Sequence, residues 1–232
     1  MINPENVQKF KSYGFVLTPV IKSKNPNEDK KPVSKNGTWH KDWNDQELLD
    51  ASRIGAYHRD SKIFDVDFDD KEYNAHKFMD LLPPTFTIGK KVNGRAVATH
   101  LIYRTKEKVK DYKKAQPLVE LLANTQTIIA GVDRIIINDQ EPIYYSAEDI
   151  RAECKLIATF SELYKHSKDI TNRNDFYYRL GGALARHTDV PMHQRIKYVE
   201  RLCELTNDNE VTNRVGCIER QQQKFEEGAE DL

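Results

Sequence analysis

Hydrophobic positions change their rhythm once along this 232-residue chain. Up to about residue 145 they come in short apolar runs, several alternating with a period of two, separated by polar or Gly/Pro segments. Side chains alternate between the faces of a strand, so such runs predict β-structure. Strands are expected over residues 14–21, 53–57, 62–68, 85–89, 96–103, 126–130, 134–137 and 142–145. Asn93-Gly94 is a dipeptide suited to a tight hairpin turn, because both residues tolerate positive φ. Ala75, Phe78, Met79 and Leu82 recur at helical spacing and predict a helix over 71–82 packed on the sheet. Residues 22–44, with Pro26, Pro32 and Gly37, read as a long loop, and residues 104–117 as a charged loop or exposed helix.

Beyond residue 145 glycines are few and the apolar spacing lengthens to three and four. Ser146-x-x-Asp149 resembles a capping box at the head of a helix running to about residue 166. A second helix over 172–187 carries Phe176, Leu180 and Leu184, and Pro191 opens a third that ends near Leu205. The last, over 207–228, presents Val211, Val215 and Ile218 on one face. The chain therefore reads as an α+β domain over residues 1–145 followed by a small all-helical bundle over residues 146–232.

Hydrophobic residues at 38% and charged residues at 31% describe a soluble globular protein able to bury a sizeable core. No apolar run is long enough to span a bilayer, and the amino terminus lacks the pattern of a secretory signal, so a cytoplasmic setting is expected. Cys154, Cys203 and Cys217 are widely spaced and read as reduced thiols on helices. The formal net charge is zero. Whole-surface attraction to nucleic acid is therefore not expected, although local patches can still hold phosphates. Residues 1–145 hold 23 basic and 20 acidic side chains against 13 and 16 in the remainder, which makes the first part the better phosphate handler. Lys22, Lys24, Lys30, Lys31 and Lys35 cluster in its long loop, followed by Trp39 and Trp43.

A few polar residues interrupt apolar strand-like runs. In Lys62-Ile63-Phe64-Asp65-Val66-Asp67-Phe68-Asp69-Asp70, residues at i and i+2 share a face, so Asp65 and Asp67 are expected to face one site while Phe64, Val66 and Phe68 face the core. Crowded carboxylates repel one another, and a hard divalent cation relieves that repulsion. An acidic strand end in solvent is the other reading. His100 lies on the strand face of Ala98 and Ile102, opposite Val97, Thr99 and Leu101. Glu120 stands alone in Leu118-Val119-Glu120-Leu121-Leu122 and needs a basic residue or a metal as partner.

Taken in order, Asp65, Asp67, His100 and Glu120 resemble the site of the archaeo-eukaryotic primase superfamily, in particular the bifunctional primase-polymerases of phage and plasmid replication. That family carries a D-x-D on a core strand, then a small residue two places before a His, then a carboxylate, here matched by Asp65 and Asp67, Ala98-Thr99-His100, and Glu120. Lys31-Pro32 with Trp39, Ile54-Gly55, Gly94-Arg95 and residues 126–131 occur in similar order, so the resemblance covers residues 10–145. The remainder is similar to the helical domain that often follows this core, through Arg173-Asn174, Leu180-Gly181-Gly182, and Asn209-Glu210 with Arg214. Ala98 replaces a frequent Ser, which makes Thr99 the candidate hydroxyl. Val132-Asp133-Arg134 replaces a frequent Ser and His, which makes Arg134 a candidate phosphate or template contact.

The resemblance implies an RRM-like catalytic sheet with an amino-terminal α/β module. It also implies a template-dependent nucleotidyltransferase that makes, and can extend, primers on single-stranded DNA. Asp65, Asp67 and Glu120 would bind Mg2+ or Mn2+, and His100 the triphosphate. Thr99, Arg95, Lys31 and Arg104 are further nucleotide contacts, with Arg134, Arg173, Asn174 and Arg214 as template contacts. Nucleoside triphosphates, single-stranded DNA and a replicative helicase are the implied partners. No Walker A motif occurs here, so the helicase is expected in a longer protein or in trans. An extension-only polymerase, a non-catalytic DNA-binding module and a nuclease are the competing functions.

Overall fold

The apolar alternation of the first part closes two antiparallel sheets around one core. The structure is a computed structural model that describes residues 2–21, 23–24, 31–33, 43–69, 72, 74–111 and 118–228. In chain order the strands are β1 (Leu17–Val20), β2 (Arg53–Tyr57), β3 (Ile63–Asp67), β4 (Phe86–Val92), β5 (Arg95–Arg104), β6 (Glu120–Leu122), β7 (Gln126–Gly131) and β8 (Ile135–Asn138). One sheet has the order β1-β2-β7 and the other β6-β3-β5-β4-β8. The class is thus α+β with two antiparallel sheets.

Leu17, Ile54, Ala56 and Ile129 of the small sheet pack with Ile63, Phe86, Ile88 and Ile102 of the large one. Ile63 shares its face of β3 with Asp65 and Asp67, so the D-x-D pair sits at the end of this core rather than on the face turned away from it. The other face is covered as well, with Phe64 stacked on Tyr103 at 5.5 Å. A strand buried on both sides explains why polarity alone misassigned the core face. At Gly89, beside a bulge in the β4–β5 pairing, an added Cβ would lie 2.0 Å from the Val97 carbonyl oxygen, so only glycine fits that approach.

Three helices in this part carry weak periodicity and were not expected. α1 (Pro4–Ser12) is opened by Asn3, whose side chain accepts a 2.7 Å hydrogen bond from the Asn6 N–H, and by Pro4 in the first turn. Its Val7 and Phe10 are fully buried in the core. α2 (Asp45–Leu49) has a capping box between Asn44 and Glu47, and α3 (His58–Ser61) is one turn. The strand expected at 142–145 is only an isolated bridge from Tyr144 to Arg104. Lys22, Lys30, Lys35 and Trp39, with residues 112–117, lie outside the described residues.

Contacts divide the chain into residues 1–69 with 84–147, and residues 70–83 with 148–232. The second unit contains α4 (Ala147–Lys165), α5 (Arg173–Ala185), α6 (Met192–Leu205) and α7 (Val211–Glu226). It also includes Ala75–Leu81, which forms a 3-10 helix rather than the expected α-helix. Phe78 packs 6.1 Å from Phe160 and 6.3 Å from Tyr198, so this segment joins the helical unit and not the sheet. Pro83 and Pro84 stop it from continuing. In α7 the buried positions are Arg214, Ile218 and Gln221, in place of the expected Val211, Val215 and Ile218. An added Cβ at Gly181 would lie 2.9 Å from Gln221 Cγ, which shows how closely α5 and α7 approach.

Candidate active site

Antiparallel register sets three functional side chains abreast. Asp67 at the end of β3 pairs with His100 on β5 and with Glu120 on β6. Asp65 lies one step deeper on the same face, opposite Ile102 and Leu122. Pairing continues past the strand end, where the Phe68 N–H donates to the Thr99 carbonyl at 2.9 Å and leads the chain to Asp69. Ligand oxygens of Asp67, Asp69 and Glu120 lie within 4.8 Å of one another.

The carboxylates brought together are therefore Asp67, Asp69 and Glu120, where sequence grouped Asp65 with Asp67 and Glu120. Asp65 is 0% exposed. Its Oδ2 accepts from His100 Nδ1 at 2.9 Å and from the Thr127 hydroxyl. His100 Nδ1 is also 3.3 Å from Asp67 Oδ1. Asp69 stands at the next two-residue interval, but where β3 would end was not legible.

Charge in this group is unbalanced. Asp67 is pushed up to about 7, first by burial and then by the negative charges of Asp65, Asp69 and Glu120, against the pull of His100. Burial opposes protonation of His100, but the Asp65 and Asp67 carboxylates hold it above the ordinary imidazole value. Asp65 Oδ1 is buried without a hydrogen bond among the described residues. Hard carboxylate oxygens crowded in this way fit a divalent cation of the Mg2+ or Mn2+ type, with Asp67, Asp69 and Glu120 able to hold it.

The small sheet supplies two residues that sequence missed. Thr127 on β7 reaches Asp65, and His58 Nε2 lies 2.7 Å from Thr127 Oγ1. Burial drives His58 down to about 4. Between that value and the ordinary 6.5 the unfolded chain binds a proton that the native state refuses, so stability falls as pH drops through this window. His58→Leu is expected to flatten the slope of urea-unfolding free energy against pH there, by about 1.4 kcal/mol per pH unit at its steepest.

Beside this group, Lys90, Lys91, Gly131, Val132, Asp133, Arg134 and Ile135 line a cleft of about 700 Å³. Arg134 is near enough to His100 to oppose its protonation. Its Nη1 donates to the Asp133 carbonyl at 3.2 Å, and its Nε is buried without a partner among the described residues. Asp133 is held below the usual carboxylate range because, against the opposing effect of burial, it accepts from Arg53 and faces Arg134. Lys90 and Lys91 were overlooked because they stand in the arm of a hairpin, where exposed lysines are common.

The other proposed nucleotide contacts lie apart. Thr99 is buried on the β5 face opposite His100, so it cannot stand in for the missing Ser hydroxyl at this site. Arg104 is four residues from His100, about 13 Å along the strand. There it donates to the Tyr13 carbonyl and pairs with Glu141 at 2.8 Å. Arg95 is exposed at the hairpin end of β5. Lys31 is exposed beside β1, where its carbonyl accepts from the Ile21 N–H at 2.8 Å, two strands away from the β7 residue Thr127.

In the helical unit, Arg214 is a buried scaffold. Its guanidinium reaches Asp208 at 3.1 Å, Glu210 at 2.8 Å and the Asn174 side-chain oxygen, and lies over the Tyr177 ring. Arg214 and Asn174 are thus engaged with each other inside the unit. Arg173 is more exposed, 3.5 Å from Asp208, and lines a cleft with Lys165, Lys168 and Asn207.

No protein-family model and no curated protein matches the chain. Among the described residues, no helix is long and apolar enough to cross a membrane.

Proposed function

We propose that this chain is a metal-dependent, template-directed nucleotidyltransferase that synthesises and extends primers on single-stranded DNA, with the core architecture of the archaeo-eukaryotic primases. The observation that carries the reading is the convergence of Asp67, Asp69 and Glu120 beside His100 at the mouth of a sheet core. These three carboxylates would hold Mg2+ or Mn2+. When bound, such ions supply Lewis acidity toward the attacking 3′-hydroxyl and neutralise charge on the triphosphate.

The protein's own groups bind and orient. His100, fixed from behind by Asp65, offers its remaining ring nitrogen to a phosphate oxygen of the nucleotide. Arg134, Lys90 and Lys91 supply the positive wall that a polyphosphate or a template strand requires. Asp65 serves as the support of His100, and its buried Oδ1 remains an acceptor toward the cation. Arg173 is the helical residue best exposed for a template phosphate. A helicase partner, in cis in a longer chain or in trans, and action in the cytoplasm of a cell or phage host complete the proposal.

The test is incubation with unprimed and primed single-stranded DNA, labelled nucleotides and Mn2+ or Mg2+. De novo products that disappear with EDTA support the reading. Extension of primers alone assigns an extending polymerase, strand cleavage a nuclease, and binding without incorporation a non-catalytic module.

A further inference from the structure

A line of side chains runs from one sheet into the candidate site and is not explained by metal binding. His58, at the end of β2, and Thr127, on β7, belong to the small sheet, while Asp65 and His100 belong to the large one. His58 Nε2, Thr127 Oγ1, Asp65 Oδ2 and His100 Nδ1 are successive hydrogen-bond neighbours. His58 and Asp65 are fully buried and Thr127 nearly so, whereas the His100 side chain keeps 12% of its surface.

The hydrogens along this line can be assigned by counting donors. An ionised carboxylate only accepts, so the single Thr127 hydroxyl hydrogen goes to Asp65 Oδ2. Thr127 then has only lone pairs to offer His58, and His58 Nε2 must carry a hydrogen and donate it. At the other end, Asp65 Oδ2 and Asp67 Oδ1 both lie against His100 Nδ1, at 2.9 Å and 3.3 Å, and neither carries a hydrogen. His100 Nδ1 therefore bears one.

We infer that Thr127 and His58 are positioning residues which, through Asp65, lock His100 with its hydrogen on Nδ1 and present Nε2 to the substrate. Free neutral histidine exchanges its hydrogen between the two nitrogens, and its ring turns about two side-chain torsions. A buried Asp65 carboxylate, aimed by a hydroxyl from a different sheet, removes both freedoms. The position of β7 relative to β3 thereby sets the direction in which Nε2 points. The substrate in question, the phosphate chain of a nucleotide, rests on the nucleotidyltransferase reading; the hydrogen assignment does not.

The experiment is nitrogen-15 NMR of the His100 ring in the full chain at pH 8 with EDTA, assigned with His100→Gln and combined with two variants at position 127. Wild type is expected to show a protonated Nδ1 with a bare Nε2, and His58 the opposite pattern. Thr127→Val keeps the shape and deletes the hydroxyl, and is expected to give His100 averaged ring signals. Nucleotide kcat/KM should fall by about 10- to 100-fold in that variant, a range typical for supports behind a functional ligand. Thr127→Ser, which restores the hydroxyl, should recover both properties. A wild-type His100 with its hydrogen on Nε2 overturns the inference even if Thr127→Val fails to fold, as does a folded Thr127→Val with unchanged ring signals. If the wild type shows the assigned pattern but no nucleotide incorporation, the positioning stands and the nucleotidyltransferase reading falls.

Discussion

Asp67→Asn is expected to lower metal-dependent nucleotide incorporation by about 1,000-fold or more while leaving the metal-free fold at least as stable as wild type. The rate loss follows from deleting the central member of the three-carboxylate group. Several kcal/mol of charge stabilisation depend on such ligands, and each 1.36 kcal/mol is a factor of ten. The stability expectation has the opposite sign from that of most buried substitutions. Asp67 titrates near 7 in the native state against 3.8 in an unfolded chain. Between those values the native state holds more protons, so the Asp67 contribution to stability falls as pH rises through this window. An amide carries no such cost. Urea denaturation in EDTA at pH 5 and pH 8 should show wild type losing more stability than Asp67→Asn on going to pH 8, and Mn2+ should restore wild type preferentially. A variant that incorporates nucleotide normally would remove Asp67 from the chemistry.

Arg214→Ala is expected to destabilise the helical unit by about 3–5 kcal/mol, the range for breaking a buried ion pair from one side. The guanidinium is 7% exposed and its main partner Asp208 is 3% exposed. Burial alone would raise the Asp208 carboxyl. The Glu210 N–H, Arg214 and Arg173 reverse that effect and hold it below its ordinary value. A depressed carboxylate stabilises the fold above its unfolded pKa, and the contribution is lost as pH falls through the folded value. Removal of Arg214 should therefore lower the unfolding midpoint at pH 7 far more than at pH 3. Melting followed by circular dichroism at the two pH values measures this. A stable Arg214→Ala protein with weakened DNA affinity would return Arg214 to the template contacts inferred from resemblance.

The sheet and the site were legible to different degrees for physical reasons. Period-two alternation and Asn93-Gly94 located β2 to β5 closely, because strand polarity and turn chemistry are local properties. The register that sets Asp67 between His100 and Glu120 is not local, and it follows from pairing across 33 residues in one direction and 53 in the other. Asp65 and Asp69 exchanged roles for that reason. Strand spacing gives them equivalent directions, but only the depth of each along β3 decides which meets Thr127 and which meets the other carboxylates. Thr127 and His58 were invisible because a buried Thr in an apolar strand and a His after a strand look ordinary until a second sheet is placed over them. In α7, Arg214 and Gln221 were read as surface residues, yet the closeness of Gly181 and the carboxylate of Asp208 make them part of the interior.

The most direct measurement is manganese anomalous scattering from crystals of the protein soaked with Mn2+ and a non-hydrolysable nucleoside triphosphate. The expected result is manganese bound by oxygens of Asp67, Asp69 and Glu120, with a phosphate oxygen on His100 Nε2. Manganese held by other residues, or a triphosphate seated away from His100, would contradict the proposed nucleotidyl-transfer site.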